Sequence, residues 1–178
     1  MDKKRYAVVS TYTTPFVQVV IEKGQQQEVF EKLYEIRTIF EETHLAGFLS
    51  HIGVDHAEKE KALRLFQGTD SSLLDHFIEV ILQNHRESYF YDMVVDSLGR
   101  LEKLTNEFDV HIKSVKPLSN EQKARLLPMI EKKLNLKVRN FQEELDPDLI
   151  GGFVVTANNK TIDASIKRQL QAVKENLK

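Results

Sequence analysis

Six histidines, 27 carboxylates and no cysteine set the limits on what chemistry this 178-residue chain can perform. His44, His51, His56, His76, His85 and His111 form no His-Glu-x-x-His pair, and without cysteine no mixed His/Cys spacing can build a tetrahedral metal site. Each reads as a surface or helix-packing residue. Lys160-Thr161 has the last two residues of a phosphate-binding loop, but the glycines that cradle a phosphate are missing upstream. Gly151-Gly152 lacks the third glycine and the following helix of a dinucleotide fingerprint. It reads as a pair of glycines inside a strand, allowing a bulge or a close backbone approach. Asp146 and Asp148 flank Pro147 and resemble a carboxylate pair, yet Asp-Pro-Asp ahead of a strand reads as a turn whose side chains bond the local backbone. No nucleophile can be matched to a base. The expectation is a protein with no catalytic residue, no cofactor and no metal, working through its surfaces.

The elements that would carry such surfaces change character near residue 108. Over residues 25–107, Val29, Phe30, Leu33, Ile36, Ile39 and Phe40 recur at helical spacing, a short apolar segment follows at 44–52, and a charge-rich one at 55–66 ends on Leu63, Leu65 and Phe66. Thr69 to Ser72 offers caps for a helix running to about His85, and Phe90, Met93, Val94, Leu98, Leu101 and Leu104 form the inner face of another. From residue 108 onward Phe108, Val110 and Ile112 alternate with polar residues, a strand signal. Ser119 with Gln122 three residues on opens a helix through a capping box, with Pro128 inside it as a source of a kink or a loosened turn. Residues 136–141 alternate again. A turn at Asn158-Asn159-Lys160 and a final helix with the stripe Ile166, Leu170, Val173 and Leu177 complete the chain.

Residues 6–21 pose a conflict. Valine, threonine and Pro15 favour a strand by local propensity. Placed on a helical wheel, the apolar residues surround the axis, which demands burial on more than one side. The helix from Leu73 to Leu82 raises a related point, because its apolar residues cover roughly 200°, about twice what a one-sided helix needs. The surplus around Phe77 and Val80 fits either a second internal layer or a groove that receives an amphipathic helix from elsewhere.

Composition bounds the partners. An apolar content of 41% supports real cores, and a net charge of −2 gives no reason to expect nucleic acid or acidic lipid. Residues 1–107 hold 12 Lys and Arg against 18 Asp and Glu, whereas residues 108–178 hold 13 against 9. That asymmetry suggests two units with different partners. The absence of cysteine favours a reducing compartment. No export signal is visible, and the longest apolar stretch, Leu149 to Val155, is far short of the roughly 18 residues of a membrane span. No direct membrane insertion is expected.

The wording of residues 144–177 is the most specific feature: Leu149-Ile150-Gly151-Gly152, an Asn-Asn turn, then Ile162-Asp163-x-Ser165 and a basic amphipathic helix. With Tyr6-Ala7 at the start and helices before strands, this resembles the delta subunit of the F-type rotary ATP synthase, whose mitochondrial counterpart is the oligomycin-sensitivity-conferring protein. Ala164 departs from the pattern, standing where the family usually has glycine; a positive φ there would strain it. The resemblance implies an α+β fold: a six-helix bundle over 1–107, opening on a helix at residues 6–21, then a small α/β domain over 108–178 with a β-hairpin and two helices. It implies a stator role, with an alpha subunit's N-terminal helix held between the first and fifth helices, and the C-terminal part contacting the b-subunit stalk. The subunit would sit at the cytoplasmic face of the cell membrane as a peripheral component. Under that implication the surplus arc belongs to a groove, and Tyr6, Phe77, Val80 and Ile81 become the candidate partner-binding residues. Two other readings stay open, a helical adaptor or an RNA-binding bundle unrelated to the synthase. The net −6 of the helical half argues against a phosphate-binding face.

Overall fold

The computed structural model describes residues 2–68 and 71–176, which fall into two compact units meeting at residues 103 and 104. Thr69 and Leu177, named above as a cap candidate and a stripe residue, lie outside the described residues.

The N-terminal unit is all helix: α1 (Lys3–Glu22), α2 (Gln26–Glu42), α3 (Leu45–Ser50), α4 (His56–Arg64), α5 (Ser72–Gln83) and α6 (Phe90–Thr105), the last preceded by a 3₁₀ turn at Glu87–Tyr89. Helix α1 forms despite its β-branched residues because tertiary burial outweighs propensity. Val9, Val17 and Val20 are fully or almost fully buried. The hydroxyls of Thr11 and Thr13 donate back to the carbonyls four residues earlier, so they compete little with the helix. Pro15 sits inside the helix on an exposed position, where it deprives the Thr11 carbonyl of its usual donor. The expectation that α1 is buried on more than one side is corrected. Its buried residues are Val9, Thr13, Phe16, Val17 and Val20, which share one face, and Tyr6, Val19 and Ile21 stay exposed.

The core beneath α1 gathers Leu33 of α2, Leu63 of α4, Leu74, Ile78 and Ile81 of α5, and Phe90, Met93 and Leu101 of α6. Phe40 centres an aromatic cluster with ring centroids 5.9 Å from Phe66, 5.8 Å from Phe90 and 5.3 Å from Tyr91. Each fully buried side chain of this size contributes about 1.5–3 kcal/mol. Helix α5 closes with a Schellman motif: the His85 amide donates to Leu82 and the Arg86 amide to Ile81. His85 occupies the left-handed position of that motif, at φ 55°, where glycine is the usual residue.

The C-terminal unit is a four-stranded sheet, order β2-β1-β3-β4, from β1 (Glu107–Ser114), β2 (Lys137–Leu145), β3 (Phe153–Ala157) and β4 (Lys160–Asp163). Strands β1 and β2 are parallel and connected through α7 (Asn120–Leu134); the other pairs are antiparallel. Phe108, Val110 and Ile112 pack with Ile130 and Leu134 of α7 and with Val155. The capping box forms as expected, with the Gln122 amide donating to the Ser119 hydroxyl at 3.2 Å and the Ser119 amide to the Gln122 side chain at 2.9 Å. Ser119→Ala is expected to lower the stability of this unit by about 1 kcal/mol, measured by hydrogen exchange across β1–β4. Helix α7 runs on continuously through Pro128.

Two boundaries differ from expectation. Strand β2 runs on to Leu145, because Gln142 to Leu145 pair with His111 to Ser114 along an edge that tolerates polar side chains. The Gly151-Gly152 pair precedes β3 and does not interrupt it. The close approach expected of it is real: a Cβ on Gly152, at φ +81°, would meet the Ala164 carbonyl oxygen at 2.3 Å. Asn158 and Asn159 both take positive φ, 47° and 57°, between the paired Ala157 and Lys160, as a tight two-residue hairpin requires. Ala164 has no positive φ, so the departure from glycine carries no strain.

The polar residues singled out by sequence turn out to hold the fold. The Asp148 amide donates to the Asp146 carboxylate at 3.0 Å, forming the expected turn. Lys160 donates to the Leu134 carbonyl at the end of α7. Asp163 accepts the Ser165 amide at 2.9 Å, and the Ser165 hydroxyl accepts the Arg168 amide at 3.2 Å, capping α8 (Ile166–Asn176). Bonds from the Ser165 hydroxyl and then its amide hold the Asp163 carboxyl below its ordinary value of 3.8. A depressed folded value means the stabilisation is complete above the unfolded value and is lost as pH falls through the folded one. Asp163→Ala is therefore expected to be less stable than the parent chain at neutral pH, with the gap narrowing as pH falls into the acid range. A gap that stays constant as pH falls contradicts this.

Candidate functional site

Helix α5 turns Leu74, Phe77, Ile78, Ile81 and Leu82 inward, which accounts for only part of its apolar arc. Leu73 and Val80 remain on the outer flank, and Val80 is 41% exposed. Opposite them stands the open side of α1. Between the two helices runs a groove of about 520 Å³ lined by Thr11, Tyr12, Pro15, Phe16 and Val19 of α1, and by Leu73, His76, Phe77, Val80 and Asn84. Its floor is the stack of Phe16 on Phe77, ring centroids 4.0 Å apart and planes 14° from parallel. Stacked aromatic pairs of this kind add about 0.5–1.5 kcal/mol beyond their burial. Among the described residues, no lining residue is acidic, and none is Lys or Arg.

A polar seam between α1 and α6 sets the position of the α1 wall. The Arg5 guanidinium reaches the Asp92 carboxylate and donates to the Ser88 carbonyl at 2.9 Å, lying 4.9 Å above the Tyr89 ring. One helical stretch further, the Thr13 hydroxyl and Arg100 both meet the Asp96 carboxylate, Arg100 at 2.6 Å, and Arg100 also donates to the Ser10 hydroxyl. These partly buried contacts fix the rotation of α1, so that Thr11, Pro15 and Val19 face the groove. An uncharged trough with an aromatic floor and a few polar groups at its rim suits the apolar stripe of a single helix.

Of the four residues expected at a partner surface, Phe77 lies in the floor and Val80 on the wall. Ile81 is corrected: it is fully buried in the core and cannot touch a partner, because it sits on the inward side of α5. Tyr6 is half exposed on α1 and is not one of the residues lining the groove. That α1 forms the other wall was implied by the resemblance, but its lining residues, with Leu73, His76 and Asn84, were not among the candidates. Their signal was the four-residue repeat Thr11, Pro15, Val19, legible only once residues 6–21 are placed in a helix. Outside the groove, His56 and His85 come together with Glu87, a grouping that no short-range spacing could reveal.

The comparison with known families decides identity. The family model for the ATP synthase delta (OSCP) subunit matches residues 8–177. The chain belongs to that family. The ATP synthase subunit delta of Streptococcus sanguinis is 60% identical and that of Streptococcus gordonii 62% identical, each over 178 residues covering the whole of both chains. A chain of the Toxoplasma gondii mitochondrial ATP synthase hexamer superposes with a TM-score of 0.63 at 15% identity, over 95% of this chain and 96% of that one, and so shares the fold. The resemblance read from the Gly-Gly and Ile162-Asp163-x-Ser165 wording is thereby borne out. A delta-family chain is a component of the peripheral stalk of an F-type ATP synthase, which sets aside the readings as an unrelated adaptor or RNA-binding bundle. No helix among the described residues of this delta-family chain is long and apolar enough to cross a membrane.

Proposed function

We propose that this delta-family chain is a non-catalytic stator link that grips the N-terminal helix of an alpha subunit in the groove between α1 and α5. The observation that carries the reading is the uncharged trough floored by Phe16 and Phe77. Rotor torque drags the catalytic head round unless a static tie opposes it, and such a tie needs affinity under load and no reactive group. A nanomolar dissociation constant corresponds to about 12 kcal/mol, within reach of a desolvated apolar groove with aromatic anchors.

The C-terminal unit supplies the second grip, on the b-subunit stalk. Helix α8 supports this, with Ile166, Leu170 and Val173 exposed along one side and Lys167, Arg168 and Lys174 off that stripe. Held between head and stalk, the chain is peripheral, at the cytoplasmic face of the cell membrane, and couples rotor torque to proton transport and ATP synthesis.

Reconstitution tests this function. Membranes stripped of the subunit are expected to hydrolyse ATP without building a proton gradient, and adding the chain back restores coupled pumping and synthesis. Full coupling in its absence contradicts the proposal.

A further inference from the structure

The structure assigns a second site: we propose that His56, His85 and Glu87 bind a first-row divalent cation of the zinc type. One ring nitrogen from each histidine and a Glu87 carboxylate oxygen all lie within 4.8 Å of one another. Two imidazoles and one carboxylate are a donor set that suits zinc, leaving a fourth position for water.

Glu87 is the deciding group. It is 4% exposed, and its Oε1 has no hydrogen-bond partner. His56 Nδ1 stands 3.4 Å from that oxygen without the alignment of a hydrogen bond. A buried carboxylate oxygen left without a donor is costly, and a coordinated cation would supply the missing interaction. The second histidine lies at the other ring nitrogen of His56: His85 Nδ1 is in contact with His56 Nε2, the rings 4.1 Å apart and edge to face. His85 is exposed, which opens the cluster to ions in solution.

The three ligands come from separate elements. His56 is the first residue of α4, His85 closes α5 and Glu87 opens the 3₁₀ turn, so a bound ion clips the end of α5 to the start of α4. Histidine at the left-handed position where glycine is usual also gives a clean probe. His85→Gly removes a ligand while relaxing the backbone, so without metal it is expected to fold at least as stably as the parent chain.

The test is calorimetric titration of the metal-stripped full chain with zinc chloride, in parallel with His85→Gly, His56→Ala and His44→Ala. The expected result is one zinc per chain with micromolar or tighter affinity, weakened at least about tenfold in His85→Gly and His56→Ala and unchanged in His44→Ala. The melting temperature of the parent chain should rise with zinc, and that of His85→Gly should not. No binding at about 100 µM zinc, or equal binding by parent and His85→Gly through other surface histidines, overturns the assignment.

Discussion

Phe77→Ala is expected to lower the stability of the N-terminal unit by about 3–5 kcal/mol, the range for removing a buried aromatic side chain. Phe77 is 5% exposed and stacks on Phe16 at 4.0 Å, so alanine removes both the floor of the groove and a contact that joins α5 to α1. Urea unfolding followed by hydrogen exchange in α1 and α5 measures the loss, and a loss under about 1 kcal/mol contradicts the packing described. Helix binding should disappear in the same variant. That second loss follows from the first, so Phe77 cannot by itself separate a binding role from a structural one.

Gly152→Ala should have a comparable effect on the other unit, about 3 kcal/mol, because two costs add. The residue sits at φ +81°, and the new methyl group would lie 2.3 Å from the Ala164 carbonyl oxygen and 3.0 Å from Ser165 Cα, both backbone. The clash would force β3 away from the entry to α8, where Ala164 donates to Phe153 and Ile166 to Gly151. Gly151→Ala is the control. Its methyl group meets the tip of the Ile166 side chain at 2.6 Å, a group free to rotate, and its φ is not positive. A cost under about 1 kcal/mol is expected there. Equal costs at the two positions contradict the account of why the second glycine is needed. Hydrogen exchange in β3 and α8 gives the readout.

Periodicity made much of this fold legible, and its failures have identifiable causes. The inner faces of α2 and α6, apart from the exposed Ile39 and Leu104, and the alternation of β1 follow from spacing alone, because each element buries one side. Helix α1 was readable only through the family resemblance. Its valines and threonines favour a strand locally, and burial of Val9, Val17 and Val20 overrides that preference. The outer half of β2 was invisible because an edge strand carries no alternating apolar pattern.

The groove was half legible. The apolar surplus on α5 pointed to Val80 and Phe77, but which flank faced outward depended on how α1 is rotated. That rotation rests on Arg5 meeting Asp92, Thr13 meeting Asp96 and Arg100 meeting Ser10, pairs 87, 83 and 90 residues apart in sequence. The same limit hid the pairing of His56 with His85 and Glu87. Ile81 was misplaced for the opposite reason: an arc about 200° wide contains both walls, and composition does not tell them apart.

Val80 offers the cleanest test of the central claim, because it lines the groove and is 41% exposed. A charge there should leave the core intact and yet oppose the docking of an apolar helix. The measurement is titration of the full chain and of Val80→Asp with a peptide of the alpha subunit's N-terminal helix, with melting temperatures recorded alongside. The account predicts tight binding by the parent chain, at least ~100-fold weaker binding by Val80→Asp, and the same melting temperature for both. A folded Val80→Asp chain that binds the peptide as tightly as the parent contradicts it.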